Sequence, residues 1–236
     1  MKIRIYALNS INIGDDFELS EEKSHYIKNV LRLKTGDKIN IFNERDGEFE
    51  GIILVEKKSC LVKPIKFVRE DESFRKAKVN LVFANIKNNL VADVLNSCTQ
   101  IGVDAFFPII TKHTTNAHFS LERGRKIIEE ASEQCERIAP PILHPISSFK
   151  QLLEKLSPDA FLLFCDEKAN FKLNKIKQIN AKEIYIFIGP EGGFCEEERE
   201  LLIEKGTNRV SLGKFILRAE TASICASFLT SFLVEI

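Results

Sequence analysis

The sequence lacks the features that mark membrane, secreted or metal-binding proteins. No apolar run reaches the roughly 18–20 residues of a membrane span. The opening MKIRIYALNSINIGDDF has neither the apolar centre of a signal peptide nor a cleavage site. Six cysteines, at positions 60, 98, 135, 165, 195 and 225, include no CxxC and no metal-like pairing. Most lie in apolar stretches, as Cys165 does in AFLLFC, which predicts buried free thiols. The histidines are scattered, and His113 and His118 lie outside any HExxH pattern, so no metal is expected. A reduced, cytoplasmic protein that spans no membrane is the expectation. Net charge is absent too. The 34 Lys+Arg balance 34 Asp+Glu, so a nucleic-acid partner would have to be met by a local basic patch.

What is present is a globular composition, 44% hydrophobic and 29% charged over 236 residues, enough for two small domains. The first seventy or so residues read as mostly β. IRIYAL, KINIF, EFEGIIL and SCLVKPIKFV are short β-branched and aromatic runs, separated by turn signals such as TGD and RDG. One helical segment, about 20–31, interrupts them. That pattern predicts a small barrel over 1–72. The charged stretch REDESFRKAK (69–78) is the linker candidate.

From Val79 onward the pattern becomes α/β. VNLVFA, DAFFPII, AFLLFC, EIYIFIG and RVSL are brief apolar runs of buried-strand type, with helical segments between most of them. Leu90, Val91, Val94, Leu95, Cys98 and Ile101 share one helical face, and Gly102 stands where a C-terminal cap belongs. Further helices are expected over about 120–138, then from about 147, 196 and 221. A mainly parallel sheet covered on both faces follows for 73–236.

The most informative segment is IYIFIGPEGGFCEEERELLIEKG, a strand, a glycine-rich loop at 189–193 and a helix stopped by Gly206. A tight strand-to-helix turn explains one or two glycines and the proline. Three glycines around Glu191 suit a ligand that approaches the backbone beyond the strand ends. Neither GxxxxGK[ST] nor GxGxxG is present. Glu191 and the run Glu196, Glu197, Glu198 would repel a pyrophosphate at this helix start. The loop therefore suits a ligand without phosphate that carries positive charge, and S-adenosylmethionine meets both conditions.

A second segment, RVSLGKFILRAETASICASFLTSFLVEI, runs from a strand through LGKFILRAE into a largely apolar helix. Arg218 and Glu220 stand at the helix entrance. They are either an ion pair that fixes the loop or part of a site shared with 189–193. Loops after successive strands should lie side by side at the sheet edge, which favours the shared site.

GPEGGF from Gly189 and LGKFILRAETA from Leu212 closely resemble the signature motifs of the RsmE-type 16S ribosomal RNA uracil-N3 methyltransferases, of the SPOUT class. The resemblance covers most of the chain. HYIKNVLRLKTGDKINIF (25–42) resembles that family's PUA-like, RNA-binding amino-terminal domain, and EEASEQCERIAPP (129–141) resembles a further block around Arg137. It implies a carboxyl-terminal trefoil knot that binds S-adenosylmethionine, a homodimer, and 16S rRNA of the small subunit as partner. Implied cofactor contacts are Gly189, Pro190, Glu191, Gly192, Gly193, Leu212, Gly213, Leu217, Ala219, Glu220 and Thr221. Arg218 is the implied catalytic residue, and Arg4, His25, Lys28, Arg32, His113 and Arg137 are the RNA-side candidates. The chain departs from the family pattern at Ser97, Gln100, His113 and Lys214-Phe215.

N3 of uracil must lose its proton before or during methyl transfer. Arg218 cannot take it, because guanidinium stays protonated. Its expected role is to stabilise negative charge on the uracil or to clamp a phosphate. Glu191 and Glu220 are both conceivable bases, and neither is assigned. Two other readings stay open: a knotted methyltransferase acting on a ribose 2′-hydroxyl or a transfer RNA, and a non-catalytic RNA-binding relative.

Overall fold

The computed structural model describes residues 2–71, 77–115 and 118–234. The chain forms two compact units, Met1–Ser73 with Ser132–Pro140, and Phe74–Ala131 with Pro141–Ile236. The expected boundary between Glu72 and Ser73 lies outside the described residues.

The first unit holds β1 (Arg4–Tyr6), β2 (Phe17–Glu18), α1 (Glu21–His25), β3 (Lys38–Asn43), β4 (Gly47–Val55) and β5 (Cys60–Arg69). Its five strands run in the order β1-β3-β4-β5-β2. β1 and β3 are parallel, and the other pairs are antiparallel. Where a barrel was expected, the end strands β1 and β2 do not pair with each other among the described residues. Ile5, Ile27, Ile39, Ile41, Ile53 and Val62 fill the core. The helix expected over 20–31 is split. Ser20 caps α1 by accepting from the Lys23 N–H, and a π-helical turn over Tyr26–Val30 then ends at Arg32, whose φ is 56°.

Arg4, expected on the RNA side, is 6% exposed and serves the interior of this unit. Its Nε donates to Glu48 Oε1 at 2.8 Å and its Nη1 to the Ser132 carbonyl at 2.8 Å, while the guanidinium lies 4.0 Å over the Phe42 ring. A buried carboxylate is the reason. Glu48 needs compensating charge, and it takes Arg4, Arg69 and Asn40 as donors. Burial pushes its carboxyl pKa up, but those donors outweigh burial and hold it below the usual range.

The second unit holds β6 (Lys78–Ala84), α2 (Asn88–Ile101), β7 (Ala105–Ile110), α3 (Leu121–Gln134), β8 (Ile142–Leu143), β9 (Ser147–Ser148), α4 (Phe149–Lys155), β10 (Phe161–Cys165), β11 (Glu183–Ile188), α5 (Glu196–Glu204), β12 (Asn208–Val210) and α6 (Ala219–Val234). The end of α3 falls within the Ser132–Pro140 segment of the first unit. Every strand pair is parallel, in the order β12-β10-β11-β6-β7-β8, with β9 also on β7.

Side chains alternate between two cores, as strand geometry requires. On β6 and β11, Val79, Leu81, Phe83, Ile184, Ile186 and Ile188 join the core shared with α2 and α6. Val82, Ala84, Tyr185 and Phe187 join the opposite core with Phe149, Leu152 and Leu153 of α4 and Leu202 of α5. Burial on both faces explains why these strands read as mainly apolar runs, interrupted in β6 only by the buried Asn80. α2 ends at Gly102 with φ 100°, as the sequence predicts. α3 stops at Gln134, short of the expected 138, because Glu136 takes φ 62°. All six cysteines are free, but only Cys60 and Cys98 are buried; the other four are half-buried.

Candidate functional site

β10 lies between β12 and β11, so the two loops singled out in the sequence do not follow neighbouring strands. They nevertheless line one cavity of about 420 Å³, within the range of small-ligand sites, and the end of β10 supplies the wall between them. The lining includes Gly189, Pro190, Glu191, Gly192 and Gly193 from one loop, and Leu212, Gly213, Leu217, Arg218 and Ala219 from the other. Glu220 and Thr221 are not among the lining residues. α6 begins at Ala219, two residues before the expected start, so both belong to its first turn.

The glycine-rich loop is fixed from three sides. Gly193 takes φ 67° and donates its N–H to the Pro190 carbonyl at 2.8 Å, a turn suited to glycine. At Gly189 a Cβ would come within 3.1 Å of the Phe194 ring, so only glycine leaves that ring its place. Phe194 is buried between Phe149 and Phe164, with each ring centroid 5.5 Å away. The third side is His113, whose Nδ1 lies 3.1 Å from the Gly192 carbonyl and 3.0 Å from that of Gly193. The neighbouring Lys112 N–H donates to Glu198 Oε1 at 2.8 Å, while Glu198 Oε2 accepts from the Cys195 N–H at 3.0 Å. A glutamate thus already takes an N–H at the start of α5, which strengthens the argument against phosphate there.

An ionic cluster that was not anticipated forms the cavity floor. Asp166, directly after β10, has a fully buried side chain and pairs with Arg199 at 2.7 Å and with Arg209. Arg199 also holds Glu167 at 3.1 Å and donates its Nε to the Phe194 carbonyl at 3.0 Å. Burial pushes the Asp166 carboxyl up, but hydrogen bonds from Arg199, the Lys168 N–H and Arg209 prevail and keep it below the usual range. Beside it, burial pushes the Cys165 thiol up to about 12. The signal in the sequence was the Asp-Glu pair after AFLLFC, but its meaning depends on a strand order that no pattern discloses.

Arg218 is exposed, lines the cavity, and its guanidinium has no hydrogen bond or ion pair among the described residues. The pairing with Glu220 that would have made it a loop staple is absent among these residues. Glu220 Oε2 is itself buried without a partner. The RNA-side candidates other than Arg4 and His113 belong to the first unit. His25 and Arg32 are exposed, and Lys28 Nζ reaches the Glu56 and Lys57 carbonyls. Arg137 is half-buried and donates to the Ala139 carbonyl at 2.6 Å. Among the described residues there is no cluster of three or more metal-ligating side chains, and no helix is long and apolar enough to cross a membrane.

Fold and cavity together define an α/β protein with a glycine-lined cavity at its strand ends and, beside it, an arginine that is unpaired among the described residues. An RNA methyltransferase domain family matches residues 73–231, and an RNA methyltransferase PUA domain family matches 19–65. The chain is 36% identical to the ribosomal RNA small subunit methyltransferase E of Rickettsia conorii, over 94% of this chain and 92% of that protein. Identity to the protein of the same name from Synechocystis is 32%, over 92% and 73%. Two solved structures share the whole fold. A Legionella pneumophila protein classed as a methyltransferase, in complex with the cofactor S-adenosylmethionine, has a TM-score of 0.88 at 28% identity and covers 98% of each chain. The ribosomal RNA small subunit methyltransferase E of Neisseria gonorrhoeae, bound to S-adenosylmethionine, has a TM-score of 0.89 at 25% identity, over 99% of this chain and 98% of that one. This chain belongs to the ribosomal RNA small subunit methyltransferase E family.

Proposed function

We propose that this protein transfers the methyl group of S-adenosylmethionine to N3 of a uridine in the 16S RNA of the small ribosomal subunit. The observation that carries the reading is the glycine-lined cavity with an unpaired Arg218 beside it. The residues present suit the cofactor. Glycines 189, 192, 193 and 213 leave main chain open to an adenosine, and Glu191 lines the same space.

When bound, S-adenosylmethionine supplies a methyl group on a cationic sulfur, which an acceptor must meet in line. Main-chain groups of 189–193, 212–213, 217 and 219 hold the cofactor and fix its orientation. Arg218 stabilises the negative charge that forms on the uracil as N3 gives up its proton. It donates and does not accept, so the proton goes to another group. His113 keeps the glycine loop in place through its two carbonyl contacts. His25, Lys28, Arg32, His113 and Arg137 are the proposed RNA contacts, whereas Arg4 is committed to Glu48.

Further inferences extend the same reading. The backbone around the cavity threads a deep trefoil knot, a feature supported by kinship and by no local pattern. The enzyme works in the cytoplasm as a homodimer. Phe228 and Phe232 of α6, about half exposed and 4.9 Å apart, supply the apolar surface for a second copy. The first unit, Met1–Ser73 with Ser132–Pro140, supplies RNA affinity, and the second supplies cofactor binding and chemistry. A purely RNA-binding role would leave the intact cavity and its free arginine without purpose.

The test is methyl transfer in vitro. Purified protein with methyl-labelled S-adenosylmethionine and small-subunit RNA is expected to yield N3-methyluridine after nuclease digestion. Label in a 2′-O-methyl nucleoside, or only in transfer RNA, would overturn the reading.

A further inference from the structure

Phe215 and Ile216 are the most exposed large apolar side chains among the described residues, at 78% and 83%. Both sit in the loop between β12 and α6, and both line the cavity. Leaving a phenylalanine and an isoleucine side by side in water forgoes the stabilisation of burying them, so two such neighbours at a site call for a partner. Their surroundings specify its chemistry. Lys214 Nζ lies 5.9 Å from the Phe215 ring centroid, Arg218 follows three residues later, and no acid occurs between Ser211 and Arg218. A flat apolar face flanked by two cations matches a nucleobase with its phosphates.

A second copy of the chain is the competing occupant, and the other exposed aromatic patch suits it better. Phe228 and Phe232 adjoin Ser97, Gln100, Ile101 and Ser231, without any charged side chain. Lysine is depleted from the centre of such interfaces. The chemistry points the same way. The N3 edge of a paired uracil is occupied by its partner base, so the target must leave the stack to be methylated, and its neighbour loses a stacking surface.

We infer that Phe215, backed by Ile216 and flanked by Lys214 and Arg218, is a stacking platform for an unpaired RNA base next to the target uridine. This rests on the proposed RNA methyltransferase function. The platform holds the flanking base by its face and its phosphate by the charge of Lys214, which leaves Arg218 for the target uracil and so sets the target at the cavity.

The chain contains no tryptophan, so Phe215→Trp places a single fluorescent reporter on the platform. The full-length variant is titrated with small-subunit RNA transcribed in vitro, and saturation is followed independently by mobility shift. Stacking is expected to quench the emission and shield it from iodide. Phe215→Ala is expected to weaken RNA binding by about fivefold or more, as loss of one aromatic stack does. Phe215→Tyr is expected to stay near wild type, and the Phe215→Ala loss in RNA binding is expected both with and without the cofactor present. Emission that stays unchanged and iodide-accessible at RNA saturation would overturn the platform while leaving the proposed function in place. So would a Phe215→Ala variant that binds RNA normally, or one that changes the oligomeric state. Failure of the wild-type protein to bind or methylate the RNA would refute the function and the platform together.

Discussion

Asp166→Asn removes one negative charge from the floor of the cavity while keeping the side chain's size. In the native protein the fully buried carboxylate faces Arg199, whose side chain is 9% exposed, and Arg209, which is 39% exposed. Breaking a buried ion pair costs about 3–5 kcal/mol, because one charge is left without compensation. Two features place this case at the low end. Glu167 still neutralises Arg199, and solvent screens much of the Arg209 contribution. The expected loss is about 3 kcal/mol, or roughly 6–12 °C in melting temperature for a unit of this size. The site should loosen as well, since Arg199 holds the Phe194 carbonyl and Phe194 pins the glycine loop. Cofactor affinity, read by calorimetry, should fall about tenfold, equivalent to 1.4 kcal/mol. Arg199→Met should cost less in the Asp166→Asn background than alone, because the pair is then already broken. The pH dependence follows the same logic. A carboxyl whose folded pKa is lowered contributes stability that is complete above its unfolded value, about 3.8, and is lost as pH falls through the lowered folded value. Wild type should therefore destabilise more steeply than Asp166→Asn below about pH 4. A variant that melts within about 2 °C of wild type and binds the cofactor normally would refute this account of the cavity floor.

Three further outcomes follow from the site. Arg218→Ala should lower single-turnover methylation by about two to three orders of magnitude with cofactor affinity nearly unchanged, and Arg218→Lys should recover only part of it; normal turnover would show that the charge is misplaced. Gly192→Leu puts a Cβ about 3.2 Å from the His113 Cβ, so it should displace His113 and weaken cofactor binding, and His113→Ala in the same chain should restore part of the loss. Cofactor affinity in Gly192→Leu equal to wild type would count against the loop staple. Sedimentation at micromolar concentration should give twice the 26.9 kDa chain mass, and Phe228→Asp with Phe232→Asp should give the single mass; a wild-type monomer with full activity would remove the dimer.

Much of the parallel sheet was legible because strands such as β6 and β11 are buried on both faces and read as mainly apolar runs. The caps at Gly102 and Gly206 were legible too, since a left-handed residue there leaves glycine as the natural choice. Other features depend on long-range partners. β2, β8 and β9 are two residues each and exist only through pairing with distant strands. The inclusion of Ser132–Pro140 in the first unit is equally invisible, because it rests on contacts such as Arg4 to Ser132, 128 positions away. The first cavity loop was identifiable from its glycines, the second from Arg218 and Glu220 at a helix entrance, and both from resemblance. Asp166, Glu167 and Arg199 were not, because only the order β12-β10-β11 brings the end of β10 between those loops. Arg4 misled for a related reason. An arginine near the amino terminus looks available until its buried partner Glu48, 44 residues on, is known.

The central claim is tested most directly by mass mapping of 16S ribosomal RNA from cells with and without this protein. One uridine is expected to carry a methyl group at N3 in the first case and to lack it in the second. Restoring the wild-type chain should return the mark, and restoring Arg218→Ala should not. Identical RNA from both cells, or a lost methyl group on a ribose or on another base, would contradict it.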